Sequence, residues 1–419
     1  MVKTSDEQAA WGRVLARIID AAHLAAADEL AVMLDDAVAE IGLTANVLVS
    51  DAPQRVLTSM RIGAERHIDL ANSLAGRAYQ LGEILHGTEP DDGAVIWVPM
   101  IDGTDRLGVL QVGFTDPARR SNGAADDTDL QRWLWTLAGL MGHIIATKFV
   151  YSDRLRRWRS NGSLSAASEL LWQLLPPRTF ATERIVVSAV LEPTEQVAGD
   201  AFDYNLDGDV VDLAVFDAVG HDLRASVTTA LAITGVRNAR RSGEQDLAAI
   251  AEFADELIAT QAGSVQFATA VLARLDTGTG VLDYLNAGHP PPLLVRNGKV
   301  VKELDAPPRF PLGVVVPGSR PARVVREQLE PGDRLLLYSD GIVEARDRDG
   351  EFFGEHRLME MAEHAAAAHL SAPETLRRLV ASVLQHQGGR LQDDATLLLV
   401  DWSADAHLGL FPTLQPGWS

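Results

Sequence analysis

Residues 335–341 read LLLYSDG: three leucines and a tyrosine, then Ser339, Asp340 and Gly341. A short apolar run bounded by a turn residue reads as a buried β-strand. This one runs straight into a carboxylate. The same event recurs three times. LAVFDAVG (213–220) carries an apolar run into Asp217, QVAGDAFDY (196–204) sets Asp200 behind a glycine, and LQDDATLLLV (391–400) sets Asp393 and Asp394 ahead of another strand. Four acidic sites therefore sit at strand edges, where a rigid backbone can aim a side chain.

Around them the chain beyond about residue 176 alternates hairpins with grouped helices. RIVVSAVLEP, VVDLAVFDAV, FATAVLARLD, GVLDYLNAG, PPLLVRNGKVVKEL, DRLLLYSDG and ATLLLVDW are strand candidates, with Asn297-Gly298 as a type I′ turn. Helical spacing covers 223–241, 245–262, 355–369 and 373–386. This pattern predicts antiparallel sheets covered by helices, an α+β class of fold. A helix LSAASELLWQLL ends on Pro176-Pro177, since proline cannot continue it, and SNGS (160–163) breaks the pattern before it. A domain boundary is placed there.

The front of the chain is helical over its first 40 residues, with Val14, Leu15, Ile18, Ile19 and Ala22 on one face. Strand runs ANVLVSDAP, GAVIWVPMID and RLGVLQVGF follow, the last two joined by DGTD as a hairpin. From Thr128 apolar residues recur at spacings of three and four, predicting one helix to about Trp158. Its stripe could pack on its own domain or against a second copy in a homodimer; spacing leaves both open.

Composition narrows the chemistry. The 419 residues carry 37 Lys plus Arg against 58 Asp plus Glu, a net charge of −21. That balance disfavours nucleic acid and anionic membrane surfaces as partners. Residues 1–160 are net −6 and the rest −15, most of it accounted for by an ordinary solvated acidic surface. With no cysteine, thiol nucleophiles, thiolate metal sites and disulfides are excluded. No run of 18 apolar residues and no leader-like start occurs, so no membrane insertion and a cytoplasmic location are expected.

Several motifs fail. DYNLDGDVVDLA imitates a calcium loop from Asp203, but Ala214 stands where a bidentate glutamate is required. Neither a P-loop, HExxH nor GxSxG is present. What remains is the carboxylate set, and carboxylates with carbonyls and water are the ligands of hard cations such as Mg²⁺ and Mn²⁺. Two like charges about 4 Å apart cost roughly 4 kcal/mol at an effective dielectric of 20, so converging aspartates call for cations. Spacing alone does not show that they converge.

Taken together and in order, QVAGDAFDY, VFDAVGHD, QFATAVLARLD, YLNAGHPPPLLV, PLGV, PGDRLLLYSDGIVEA, FFGEHRL and DDATLLLV resemble the metal-dependent serine/threonine protein phosphatases (PPM type), in their SpoIIE/RsbU-like bacterial branch. The likeness covers about residues 164–402. It implies an α-β-β-α sandwich with two Mn²⁺ or Mg²⁺ ions at one edge. Asp200, Asp217, Asp340 and Asp393 would be the catalytic metal-binding acids, with Asp394 and the Ala218 carbonyl as further ligands. Such ions activate water and neutralise the leaving oxygen, so no protein nucleophile is needed. His221 and His289 are the tempting proton donors, although His289 in NAGHPP also suits a turn-stabilising role. The chain departs from the family at Ala198, where a glycine is frequent, and at Asp222, which suits a cap for the helix starting at Leu223.

Residues 20–150 resemble a GAF sensory domain through VIWVPMIDGTDRLGVLQVGF, with an unknown small molecule or protein as its signal. His67, His86 and His143 read as ordinary histidines. The expected organisation is an N-terminal extension (1–19), a GAF-like domain (20–150), a helical linker (151–163), the phosphatase domain (164–402) and a tail (403–419). The implied substrate is a phosphorylated anti-anti-sigma (STAS) protein. The rivals are a catalytically silent scaffold of the same fold and a metal-dependent phosphodiesterase.

Overall fold

The computed structural model describes the chain except residues 1, 52–53, 62, 64–65, 90–92, 119–126, 161–165, 195–198, 221, 262–265, 317, 319–321 and 411–419. The break at 160–163, Ala198 and His221 thus lie wholly or largely outside the described residues. The chain divides into two compact units, residues 1–163 with 410–419, and residues 164–409.

The first unit runs α1 (Val2–Ala22), α2 (Leu30–Ala39), β1 (Leu43–Ser50), β2 (Val56–Ser59), β3 (His67–Asp69), α3 (Leu74–Leu81), β4 (Leu85–Glu89), β5 (Gly93–Asp102), β6 (Asp105–Phe114), α4 (Thr128–Phe149) and α5 (Asp153–Ser160). Its six strands form one antiparallel sheet in the order β3-β2-β1-β6-β5-β4. Alternation along β1 sorts its residues to two cores. Leu43, Ala45, Val47 and Val49 meet α1, α2 and α4, whereas Leu48 meets α3. Trp11 of α1 stacks on Trp133 of α4 with ring centroids 5.7 Å apart.

Two expectations are corrected here and one open alternative is decided. The helix from Thr128 does not continue to Trp158: α4 ends at Phe149 and α5 leaves at a bend of 111°. The apolar stripe of α4, including Leu130, Leu134, Leu137, Met141 and Ile145, is buried in its own unit, which leaves that face unavailable to a second copy. Ile19, placed with Val14 and Ile18 by spacing, is instead 45% exposed, and Trp11 fills the face in its stead. Among the described residues no single helix is long and apolar enough to cross a membrane.

The second unit comprises α6 (Ala166–Leu174), β7 (Thr179–Ala181), β8 (Val186–Glu192), β9 (Asp200–Asp207), β10 (Val210–Ala218), α7 (Leu223–Arg241), α8 (Leu247–Ala259), β11 (Ala268–Asp276), β12 (Val281–Ala287), β13 (Leu293–Arg296), β14 (Lys299–Glu303), β15 (Val325–Gln328), β16 (Asp333–Tyr338), α9 (Asp340–Val343), α10 (Glu355–Ala367), α11 (Ala372–His386) and β17 (Ala395–Trp402). Two antiparallel sheets result, β15-β12-β11-β10-β9 and β14-β13-β16-β17-β8-β7. They face each other across an apolar core. Leu213 and Val215 of β10, Phe202 of β9, Val271 and Ala273 of β11, Leu335 and Leu337 of β16, and Leu398 and Val400 of β17 meet there. The alternate residues Ala214, Phe216, Ala270 and Leu272 turn outward to α7 and α8. Helix α11 covers the other sheet at β8 and β17. The architecture is α-β-β-α, a mixed α+β fold. The hairpin between β13 and β14 turns on Asn297 (φ 51°) and Gly298 (φ 74°), the left-handed pair a two-residue turn needs.

Candidate metal-binding acidic site

The same alternation builds the site. If Leu213 and Val215 face the inter-sheet space, so does Asp217, two residues on along β10. Phe202 does the same for Asp200 on β9, Val271 for Thr269, Leu337 for Ser339, and Leu398 for Thr396 and Asp394. Each strand leaves the core at one edge of the sandwich, and the polar residue there lies one period past the last apolar one. Asp200 and Asp217 are directly opposite each other in the β9–β10 ladder, and Thr269 faces Asp217 from β11. Opposed side chains in such a ladder stand about 5 Å apart at Cβ.

The electrostatics show that the acids converge from both sheets. Asp200 is 2% exposed, and its carboxyl is pushed well above the usual range by burial and then by the charges of Asp217 and Asp394. The hydroxyls of Ser339 and Thr396, across the inter-sheet gap, act on the carboxyl in the opposite sense. Asp217 is pushed up to about 7 by burial and then by Asp340 and Asp393, while a hydrogen bond with Asp200 pulls it back. Asp340 is raised by burial, Asp393 and Glu344. Among the described residues no Arg or Lys forms an ion pair with any of these acids. The Oδ2 atom of Asp200 is buried with no hydrogen-bond partner.

This arrangement fits hard divalent cations in its chemistry: oxygen donors alone, mutually repelling, without a basic counter-charge, and with one orphaned buried oxygen. The fit is partial in its geometry. Among the described residues no three His, Asp or Glu side chains are gathered into a finished metal cage. Burial and repulsion among the acids raise both Asp200 and Asp217, which favours keeping a proton on the pair unless a cation offsets the charge. Divalent ions would replace that proton and draw the set together.

The remaining expected site residues take distinct places. Asp394 is 4% exposed and acts as a clasp. Its Oδ1 accepts hydrogen bonds from the Thr194 backbone N–H (2.8 Å) and hydroxyl (3.2 Å), and its Oδ2 one from Gly199 N–H (2.6 Å). Its oxygens thus hold the Thr194 and Gly199 ends of the segment that enters β9. Asp393 is exposed, and its Oδ1 accepts from the Asp394 N–H at 2.9 Å. The backbone of Ala218 is tied to that loop, its N–H donating to the Gly199 carbonyl. A Cβ on Gly199 would lie 2.8 Å from the Ala218 carbonyl oxygen and 2.7 Å from that of Gly220, so glycine is required for this approach.

Asp340 does not end the strand: β16 stops at Tyr338, Ser339 precedes the helical turn, and Asp340 is the first residue of α9. Gly341 is not a left-handed turn residue either. Its Cβ would sit 1.9 Å from the Asp394 carbonyl oxygen, so its absence lets the Asp340 turn and the Asp393–Asp394 turn close on each other. Asp222 caps α7, accepting from the N–H groups of Arg224 (2.9 Å) and Ala225 (3.1 Å). Asp203, the first residue of the calcium-like stretch, is fully buried between Arg237 and Arg240, which gives it a structural place.

His289 is 5% exposed, and burial lowers its ring to about 4. A buried neutral imidazole of this kind is a poor proton donor at neutral pH. The turn around it is held by Asn286, whose side chain accepts from the His289 N–H and donates to its carbonyl. Composition and motif spacing missed Ser339, Thr396, Thr194 and Thr269. Period-two alternation in β16, β17 and β11 was the signal that carried all but Thr194.

Comparison with known proteins places these features. Residues 207–403 match the family described as Stage II sporulation protein E (SpoIIE). Protein IcfG of Synechocystis sp. is 28% identical over 243 residues, covering 51% of this chain and 37% of that protein. Phosphoserine phosphatase RsbU of Bacillus subtilis is 22% identical over 240 residues, covering 57% of this chain and 69% of RsbU. Among solved structures, the SiaA-PP2C domain of Pseudomonas aeruginosa is 25% identical, with a TM-score of 0.49, over 57% of this chain and 94% of that domain. The chain thus spans little more than a third of IcfG.

Proposed function

We propose, from the match of residues 207–403 to the SpoIIE family and the likeness to phosphoserine phosphatase RsbU, that this protein is a metal-dependent protein serine/threonine phosphatase of the PPM type. The observation that supports the reading best is the convergence of Asp200, Asp217, Asp340 and Asp393 from two sheets with no basic partner among the described residues. Asp217 and Asp200 would hold Mn²⁺ or Mg²⁺ from β10 and β9, and Asp340 and Asp393 from the opposing sheet. A bound pair of such ions supplies an activated water and neutralises charge on the leaving oxygen.

The chain's own residues contribute position. The β9–β10 ladder fixes the spacing of Asp200 and Asp217, and Asp394 closes the loop behind Asp200. With no cysteine in the chain, a thiol-linked intermediate has no place in the reaction. The leaving group's proton does not come from His289, which is enclosed.

The substrate class we propose is a phosphorylated anti-anti-sigma (STAS) protein, in keeping with the name phosphoserine phosphatase carried by RsbU. We read residues 20–150 as a GAF-like sensory domain that answers a small-molecule or protein signal, residues 151–163 as its linker and 164–402 as the catalytic domain. The six-stranded antiparallel sheet with helices on both faces supports that reading of the first unit.

The test is Mn²⁺-dependent hydrolysis of p-nitrophenyl phosphate and of a phosphoserine STAS protein by the full chain. Turnover is expected with Mn²⁺ and none with EDTA. Asp340→Asn should lower it more than 10³-fold. Metal-independent turnover, or no turnover of either substrate, would refute the proposal, the latter in favour of a silent scaffold. Hydrolysis of a cyclic dinucleotide in preference to both would favour a phosphodiesterase.

A further inference from the structure

The imidazole of His289 is enclosed within the second unit without a role in holding its own turn, which Asn286 performs. Its Nδ1 lies 2.7 Å from the hydroxyl of Thr269. Its Nε2 is buried and completes no hydrogen bond in good geometry, although the backbone of Tyr338 acts on the ring in the sense that favours its protonated form. An enclosed, incompletely satisfied imidazole costs stability. Something must keep it there.

Its two neighbours say what. Thr269 stands directly opposite Asp217 in the β10–β11 ladder, so the two side chains share one face and are adjacent across it. Tyr338 is the last residue of β16, two positions before Asp340. The ring therefore lies between the strand pair that carries Asp217 and the strand that delivers Asp340. Gly288, with φ 76° and a bridge to Ala270, turns the chain so that the ring enters that gap.

We propose that His289 is a positioning residue for the acidic site: through its Nδ1 it orients the Thr269 hydroxyl beside Asp217. The inference rests on the metal-dependent reading above. It places His289 behind the acids rather than among the reacting groups, so its effect is on how well the acids gather around divalent ions. Groups that orient a ligand from behind typically change metal affinity 10–100-fold when removed.

The experiment measures Mn²⁺ affinity of the full chain by titration calorimetry, with the melting temperature in EDTA recorded for each variant. Thr269→Val keeps the shape and removes the hydroxyl; His289→Leu keeps the bulk and removes both ring nitrogens; His289→Asn keeps a polar atom near the position of Nδ1. Thr269→Val and His289→Leu should each weaken Mn²⁺ about 10-fold or more. The double variant should be no weaker than the poorer single one, because both break the same link. His289→Asn should recover most of the affinity, and this recovery should not follow the EDTA melting temperature.

Wild-type affinity in His289→Leu, additive losses in the double variant, or no recovery in His289→Asn would each overturn the inference. If His289→Leu fails to fold, Thr269→Val and His289→Asn still decide it. Absence of Mn²⁺ binding to the wild-type chain would overturn both this inference and the function it rests on. Normal binding in the wild type with unchanged variants would overturn this inference alone.

Discussion

Replacing Asp217 by asparagine should stabilise the metal-free protein while removing its metal response. In the folded chain the Asp217 carboxyl titrates at about 7 against an ordinary 3.8, chiefly because it is buried and then because Asp340 and Asp393 repel its charge. A folded-state pKa raised above the unfolded one adds stability that is fully present below pH 3.8 and is lost as pH rises through 7. A gap of about three pH units corresponds to about 4 kcal/mol of destabilisation at pH 8, an upper value because neighbouring acids share the proton. The asparagine amide must itself be hydrogen-bonded in a buried place, which returns about 1–3 kcal/mol of that gain. A net gain of about 2 kcal/mol raises the melting temperature of a domain this size by about 4–8 °C. The assay is thermal unfolding in EDTA at pH 8 and pH 5, repeated with Mn²⁺. Asp217→Asn should melt above wild type at pH 8 in EDTA, with a smaller advantage at pH 5. With Mn²⁺ the wild type should gain stability by mass action and the variant should not. Equal melting in EDTA at pH 8, or an advantage of the same size at both pH values, would refute the electrostatic reasoning.

Two further perturbations separate the site from its supports. Gly341→Ala places a Cβ 1.9 Å from the Asp394 carbonyl, so the Asp340 turn must move; Mn²⁺-dependent turnover should fall at least 10-fold, and wild-type turnover would contradict this packing. Asp222→Ala removes only a helix cap, costing about 1 kcal/mol; the melting temperature should drop by about 2–4 °C with Mn²⁺ dependence intact, and loss of that dependence would make Asp222 part of the site.

Much of the site was legible because strand periodicity and acid placement are both local properties. Asp217 follows Val215 by one period, and Asp340 stands two residues past an apolar strand; neither needs tertiary knowledge to be noticed. The division of labour between Asp393 and Asp394 was not legible. It depends on a loop near residue 194, some 200 positions earlier, whose N–H groups occupy the oxygens of one acid and leave the other exposed. The role of Gly341 was hidden for the same reason: its constraint is the Asp394 carbonyl, not its own φ. The bend after Phe149 escaped because the apolar spacing runs on through it, and Leu155 is buried on the far side. Short pieces such as β3 and β4 were missed since HID and LHGTE carry no alternating apolar face and are held by their neighbours in the sheet. The place of the His289 ring was not visible in NAGHPP, because its partner Thr269 comes from another strand, while the turn itself is held by Asn286.

The central claim is that Asp200, Asp217, Asp340 and Asp393 together take up divalent ions. Anomalous diffraction at the manganese edge, from crystals grown with Mn²⁺, tests it most directly. Two strong peaks among those four carboxylates in the wild type, with loss of at least one in Asp340→Asn, would agree with it. A wild-type map with no peak between the two sheet edges would contradict it.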